Sequence, residues 1–155
     1  MSVDLGEDPL ALDRQVCFAL SVASRGVIAA YRPLLRPLNL THPQYLVMLA
    51  LWERSPRTVK ELATVLRAEP ATLSPLLKRL ETVDYVSRER RRTDERVVQV
   101  ALTGRGHRLR AEAEKIPYQV VEALGLPLSD LEQLRQALEK VLAATSVGDD
   151  AAPAS

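Results

Sequence analysis

The chain has 155 residues, a formal net charge of +1, and a single cysteine, tryptophan and phenylalanine. That length fits one domain built on one core. The lone Cys17 excludes an internal disulfide, and with only two histidines it excludes a conventional Cys/His zinc site, so no metal or cofactor is expected. No run reaches the ~20 apolar residues of a membrane helix. The acidic start MSVDLGEDPLALD lacks the basic region of a secretory signal, which points to the cytoplasm and to no membrane partner.

Residues 1–8 read as a tail. Asp8 as cap and Pro9 as first helical position open a helix over 9–37. Val16, Leu20, Ala23, Val27, Ala30 and Leu34 recur in it at helical spacing, and Pro33 and Pro37 close the pattern. In NLTHP, Thr41 is the next cap, ahead of PQYLVMLALWER, apolar nearly all round as a central buried helix is. Thr58 with Glu61 forms a capping box for a short helix over 58–68. After AEP, residues 70–85 turn Leu73, Leu76, Leu77, Leu80 and Val83 inward and leave Thr72, Ser74, Lys78 and Arg79 outside. Two short helices joined by a tight turn, the second polar and basic outside, form a helix-turn-helix candidate. YVSRER and RVVQVALT then read as a β-hairpin with RRTDE at its tip. Residues 104–123 return to helix, bent at Pro117. Residues 126–145 form a last amphipathic helix with Ser129 and Glu132 as a capping box, and 146–155 a flexible tail.

The predicted fold is therefore mainly α (α+β), with one domain over 9–145. A winged helix-turn-helix over 43–102 lies between dimerisation helices over 9–37 and 104–145. A recognition helix can enter the major groove of double-stranded DNA while the ribbon tip reaches an adjoining minor groove. The charges fit that plan, because Arg88, Arg90, Arg91, Arg92 and Arg96 crowd the hairpin and Lys78 and Arg79 the second helix. Asp94 is spaced to orient Arg96 by a charge-assisted hydrogen bond. The terminal helices carry apolar faces that a small reader cannot cover, which implies a homodimer suited to a two-fold operator.

RPLLRPLNLTHPQYLVMLALWE, the TVKEL and TLSPLLKRLE helices and the wing motif DERVVQVALT resemble the MarR family of transcriptional regulators, over roughly residues 10–145. QVCFAL paired with THPQYLVMLALWE resembles more narrowly its peroxide-sensing OhrR branch, of the one-cysteine type. The resemblance implies a dimeric winged-helix repressor and no enzyme. It assigns Thr72, Ser74, Lys78 and Arg79 to the recognition helix and Asp94 and Arg96 to the wing, beside Arg90, Arg91 and Arg92. It also implies that Cys17 senses organic hydroperoxides and that its oxidation releases DNA. The chain departs from the family pattern at Pro70 and Ala71, where a small polar residue and a glycine are usual, at His42 in place of a tyrosine, and at Ser21 in place of another.

A sensing thiol needs a stabilised thiolate, the reactive form. With a helix starting at Pro9, Cys17 lies about two turns inside, where the helix dipole helps little. Tyr31 is the partner by resemblance, yet fourteen residues of helix place it ~21 Å away along the axis. The two then meet only across an antiparallel crossing of two subunits, with His42 joining from the same partner subunit as an imidazolium or as a neutral ring. Phe18 would line the peroxide pocket. Oxidation to sulfenic acid finds no second cysteine in the chain, so a small cellular thiol or a backbone nitrogen must condense with it. The competing expectation is a repressor of the same family governed by a non-covalently bound phenolic or aromatic ligand, with Cys17 structural.

Overall fold

The computed structural model describes residue 4 and residues 6–149. Helices α1 (Val16–Leu35), α2 (His42–Glu53), α3 (Val59–Leu66) and α4 (Pro70–Thr82) are followed by β2 (Val86–Arg91) and β3 (Asp94–Leu102). A two-residue β1 (Arg57–Thr58) precedes α3, and α5 (Gly104–Ala113), α6 (Ile116–Leu124) and α7 (Leu128–Asp149) complete the order. The sheet is antiparallel in the order β1-β3-β2. The chain divides into two compact units after Val120.

Helix α1 starts later than its sequence signal. Asp8 and Pro9 do not cap and open a helix; Asp8 Oδ1 accepts from Leu10 N at 3.0 Å and Asp8 O from Ala11 N at 3.2 Å. Asp at the first and Pro at the second position are also what a β-turn selects, and the turn wins. A short 3-10 turn over Leu12–Arg14 follows, and Gln15, extended, stands at the N-cap position of α1 without a side-chain cap bond, its Nε2 donating back to Pro9 O and Ala11 O. Cys17 is consequently the second residue of its helix rather than two turns inside. Pro33 does not end α1, which continues to Leu35 and forfeits only the bond that a proline cannot donate.

The next starts follow local chemistry. Thr41 Oγ1 accepts from Gln44 N at 3.5 Å while Gln44 Oε1 accepts from Thr41 N at 3.0 Å, so α2 has a full capping box. Thr58 and Glu61 make the other, at 3.1 and 2.8 Å. Tyr45, Val47, Met48 and Leu51 of α2 join Leu62, Leu73, Leu77, Leu80 and Val100 in the core. Helix α2 is not buried all round, however: Leu46 and Leu49 are 37% and 41% exposed.

Side-chain to backbone bonds lock this core. Tyr85 Oη donates to Leu38 O at 2.7 Å, Trp52 Nε1 to Gly106 O at 2.9 Å, and Arg57 Nε to Ala50 O at 3.0 Å. Gly106 is required at its place, since a Cβ there would stand 2.1 Å from Tyr85 O.

The expected bent helix over 104–123 is two helices. The break lies at Glu114–Lys115, and Pro117 sits in the first turn of α6, where its missing N–H is harmless. Helix α7 has no Ser129 cap. Pro127 O accepts from Asp130 N and Leu131 N instead, Ser129 Oγ contacts Asp130, and Glu132 pairs with Arg135 at 2.6 Å. Because α7 runs to Asp149, residues 146–149 of the expected tail are helical, and 150–155 lie outside the described residues, as do parts of the expected tail over 1–8.

Candidate nucleic-acid interface and thiol site

Helix α4 buries Leu73, Leu77 and Leu80 and therefore exposes Thr72, Ser74, Lys78 and Arg79. Ser74 lies in a cleft of about 750 Å³ between the starts of α3 and α4 and the hairpin, with Lys60, Arg88, Arg90, Arg91 and Arg96 on its walls. Arg79 leans to the other flank, where its guanidinium donates to Asn39 Oδ1 at 3.4 Å. Asn39 has the left-handed backbone (φ 57°) that closes the α1–α2 connection, so the end of α4 is tied to that connection.

In the hairpin, β2 and β3 stay in register from Val86 opposite Leu102 to Arg90 opposite Val98, and a bulge then brings Arg91 opposite Asp94. A bulge there twists the ribbon next to its tip. Asp94 Oδ1 accepts from both the backbone N–H and Nε of Arg96, at 3.1 and 3.2 Å. Arg96 is held by one edge of its fork while its side chain is 91% exposed. Arg90 Nη1 donates to Glu95 O at 2.8 Å, and Arg91 and Arg92 project from the exposed tip. Arg88 binds Glu81 at 3.1 Å, which fastens the wing to α4 and holds the Glu81 carboxyl below the usual range. Lys60 was absent from the sequence expectation, although the capping box already places it in the first turn of α3.

The thiol and its expected partners are apart within one chain. Cys17 is exposed in the first turn of α1, with Phe18 beside it 42% exposed. Tyr31, near the far end of α1, meets His42 with ring centroids 4.9 Å apart and Tyr45 at 5.8 Å. The structure thus brings Tyr31 and His42 together and leaves Cys17 and Phe18 ~21 Å along the helix from them. Burial pushes the His42 imidazole below its ordinary value, which favours the neutral ring at neutral pH. Burial pushes Tyr31 up, and burial followed by the neighbouring Tyr31 does the same for Tyr45, so both phenols keep their protons. Tyr45 is the member that sequence reasoning missed; its signal was the i, i+3 spacing to His42 on one face of α2. A second cleft of about 620 Å³, lined by Tyr45, Leu49, Trp52, Arg110 and Tyr118, opens behind this cluster.

Among the described residues no group of His, Cys, Asp and Glu could hold a metal ion, and no helix is long and apolar enough to cross a membrane.

The family model for the transcriptional regulators SarA/Rot matches residues 29–113. The HTH-type transcriptional regulator TtmR of Methylorubrum extorquens (strain PA1) is 43% identical over 128 residues, covering 83% of this chain and 66% of its own length. The organic hydroperoxide resistance transcriptional regulator of Bacillus subtilis (strain 168) is 40% identical over 135 residues, 87% of this chain and 92% of that protein. Among solved structures, reduced AbfR bound to DNA, a Staphylococcus epidermidis protein, superposes with a TM-score of 0.73 at 31% identity, covering 88% of this chain and 96% of the other. Taken with the capped helix-turn-helix, the arginine-rich wing and the single early cysteine, these likenesses mean that the chain belongs to the MarR family of DNA-binding, winged-helix transcriptional regulators and is of the OhrR type.

Proposed function

We propose that this protein is a homodimeric cytoplasmic repressor that binds operator DNA when reduced and releases it when an organic hydroperoxide oxidises Cys17. The observation that carries this reading is the separation along α1. Its 20 residues contain one buried side chain, Leu35, so the helix is largely uncovered, and Cys17 near its start and Tyr31 near its end lie fourteen residues apart on nearly the same face. A second copy crossing antiparallel covers that face and places Cys17 of one protomer against the Tyr31–His42–Tyr45 cluster of its partner. The likeness to a regulator of organic hydroperoxide resistance, and to AbfR solved in reduced form on DNA, supports the same reading.

The chemistry follows from these groups. The thiolate is the reactive form of Cys17, and the neutral phenols and imidazole of the partner are the groups that would donate hydrogen bonds to it. The thiolate attacks the distal peroxide oxygen, the O–O bond breaks, and the alkoxide leaves as an alcohol after taking a proton; Cys17 becomes a sulfenic acid. The apolar tail of the peroxide lies on Phe18. With no second cysteine in the chain, a small cellular thiol displaces water from the sulfenic acid and forms a mixed disulfide. That bulk at the crossing of the α1 helices separates the two recognition helices, and the operator is released.

A gel shift on DNA upstream of the protein's own gene tests this, with cumene hydroperoxide and hydrogen peroxide in parallel. Cys17→Ser should bind as wild type does and ignore the organic peroxide; a variant that still releases DNA on oxidation refutes the redox reading. The cleft beside Tyr45, Trp52 and Tyr118 favours one alternative, a repressor released by a non-covalent phenolic or aromatic carboxylate with Cys17 structural. In that case salicylate-like ligands release wild type and Cys17→Ser alike.

A further inference from the structure

Leu73, Leu77 and Leu80, each no more than 1% exposed, fix which side of α4 faces the core. At about 100° per residue, the direction opposite this stripe is occupied by Pro75, with Ala71, Lys78 and Thr82 next to it. All four are exposed. The polar side chains of the first two turns, Thr72 and Ser74, lie to the flanks, Ser74 in the cleft against the wing, and Arg79 in the third turn is tied to Asn39. The outermost ridge of those two turns is thus a methyl group and a pyrrolidine ring. Neither carries a side-chain hydrogen-bonding atom, and Pro75 has no backbone N–H.

We infer that Ala71 and Pro75 read thymine C5-methyl groups, so that each half of the operator is selected by thymines facing the first two turns of α4. The inference rests on the reading that α4 enters the major groove and deepens it by naming the base. Of the four base edges exposed in that groove, only thymine offers an apolar group; guanine and adenine present N7 with O6 or an amino group, and cytosine an amino donor. A methyl and a ring pressed on those polar edges displace water and return no hydrogen bond, so the same two residues reject what they do not bind. Lys78, one turn on, supplies the charged contact that the ridge lacks.

The test selects duplexes from a random pool with the full-length protein, then resynthesises the selected duplex with deoxyuridine in place of thymidine in the half-sites. That exchange deletes the C5 methyls and leaves the Watson–Crick edge and the phosphates unchanged. Anisotropy titrations should show binding about fourfold weaker per contacted methyl, the equivalent of one methyl-sized group returned to water. The slope of log K against log salt should not move, because no phosphate contact is lost. Pro75→Ala, which suits a helix interior, should bind the thymidine duplex more weakly and reduce the uridine penalty. Less than twofold loss on the uridine duplex, selected sites with G·C pairs at those positions, or an undiminished penalty in Pro75→Ala each overturn the inference. Failure to select any duplex would overturn the DNA-reading role itself.

Discussion

Removing Asp94 sets charge against geometry, and the structure says which prevails. On charge alone, Asp94→Ala should strengthen DNA binding, because a carboxylate leaves the neighbourhood of the phosphates. A unit charge roughly 7 Å from a phosphate in water is worth about 0.6 kcal/mol, and salt screening reduces that to about 0.3 kcal/mol. Against it stands the hold on Arg96, whose backbone N–H and Nε both donate to Asp94 Oδ1, at 3.1 and 3.2 Å. At 91% exposure nothing else restrains that side chain by packing. Released, it must be ordered on binding, at about 0.5–1.5 kcal/mol per side chain. Two wings in a dimer double both terms, so the net expectation is about 0.4–2.4 kcal/mol of lost affinity, or about 2- to 60-fold. Anisotropy titration over a salt series measures it. Arg96→Ala, which removes the contact itself, should in addition flatten the log K against log salt slope by about 0.9 per wing. If Asp94→Ala binds as tightly as wild type or tighter, while Arg96→Ala weakens binding, the orienting role of Asp94 is wrong.

Two further outcomes follow from the packing. Burial lowers the His42 pKa in the folded protein, so the unfolded chain binds the extra proton more readily and stability should fall as pH drops below about 6.5. Thermal melts from about pH 7 to about pH 5 should show a shallower decline in His42→Gln, and identical declines would contradict a half-buried neutral imidazole. Gly106→Ala would drive a Cβ to within 2.1 Å of Tyr85 O, a backbone atom that cannot rotate away. Relief requires a shift of α5 that also strains the Trp52 Nε1–Gly106 O bond of 2.9 Å. The expected cost is about 3 kcal/mol, or about 6–12 °C in thermal midpoint, with a change in the emission of the only tryptophan. A variant that melts like wild type would show that the α5 contact is loose.

Much of this fold was legible because its signals are local. A capping box is a contact between residues three apart, so THPQ and TVKE announce α2 and α3 wherever the chain goes. The hairpin is likewise written in an alternation and a polar tip, and Asp94 with Arg96 in a spacing of two. Local signals also misled where two motifs share residues: Asp8–Pro9 suits a helix start and a β-turn equally, and only the backbone bonding of the segment behind it shows that the turn prevails. That choice moved Cys17 from the interior of a helix to its first turn.

The amino-acid sequence by itself determined the element types, the reader with its basic wing, and the lone thiol. Tertiary structure alone decided which of these groups meet. Tyr45 joins Tyr31 and His42 because α1 and α2 cross there, Arg79 is held aside because the α1–α2 connection ends in Asn39, and Leu46 and Leu49 stay exposed although α2 is apolar nearly all round. The physical reason is range. Capping and periodicity act over three or four residues, whereas the contacts of Tyr31 with His42 and Tyr45 and of Arg79 with Asn39 join residues eleven, fourteen and forty apart, whose distance is set by how whole helices pack.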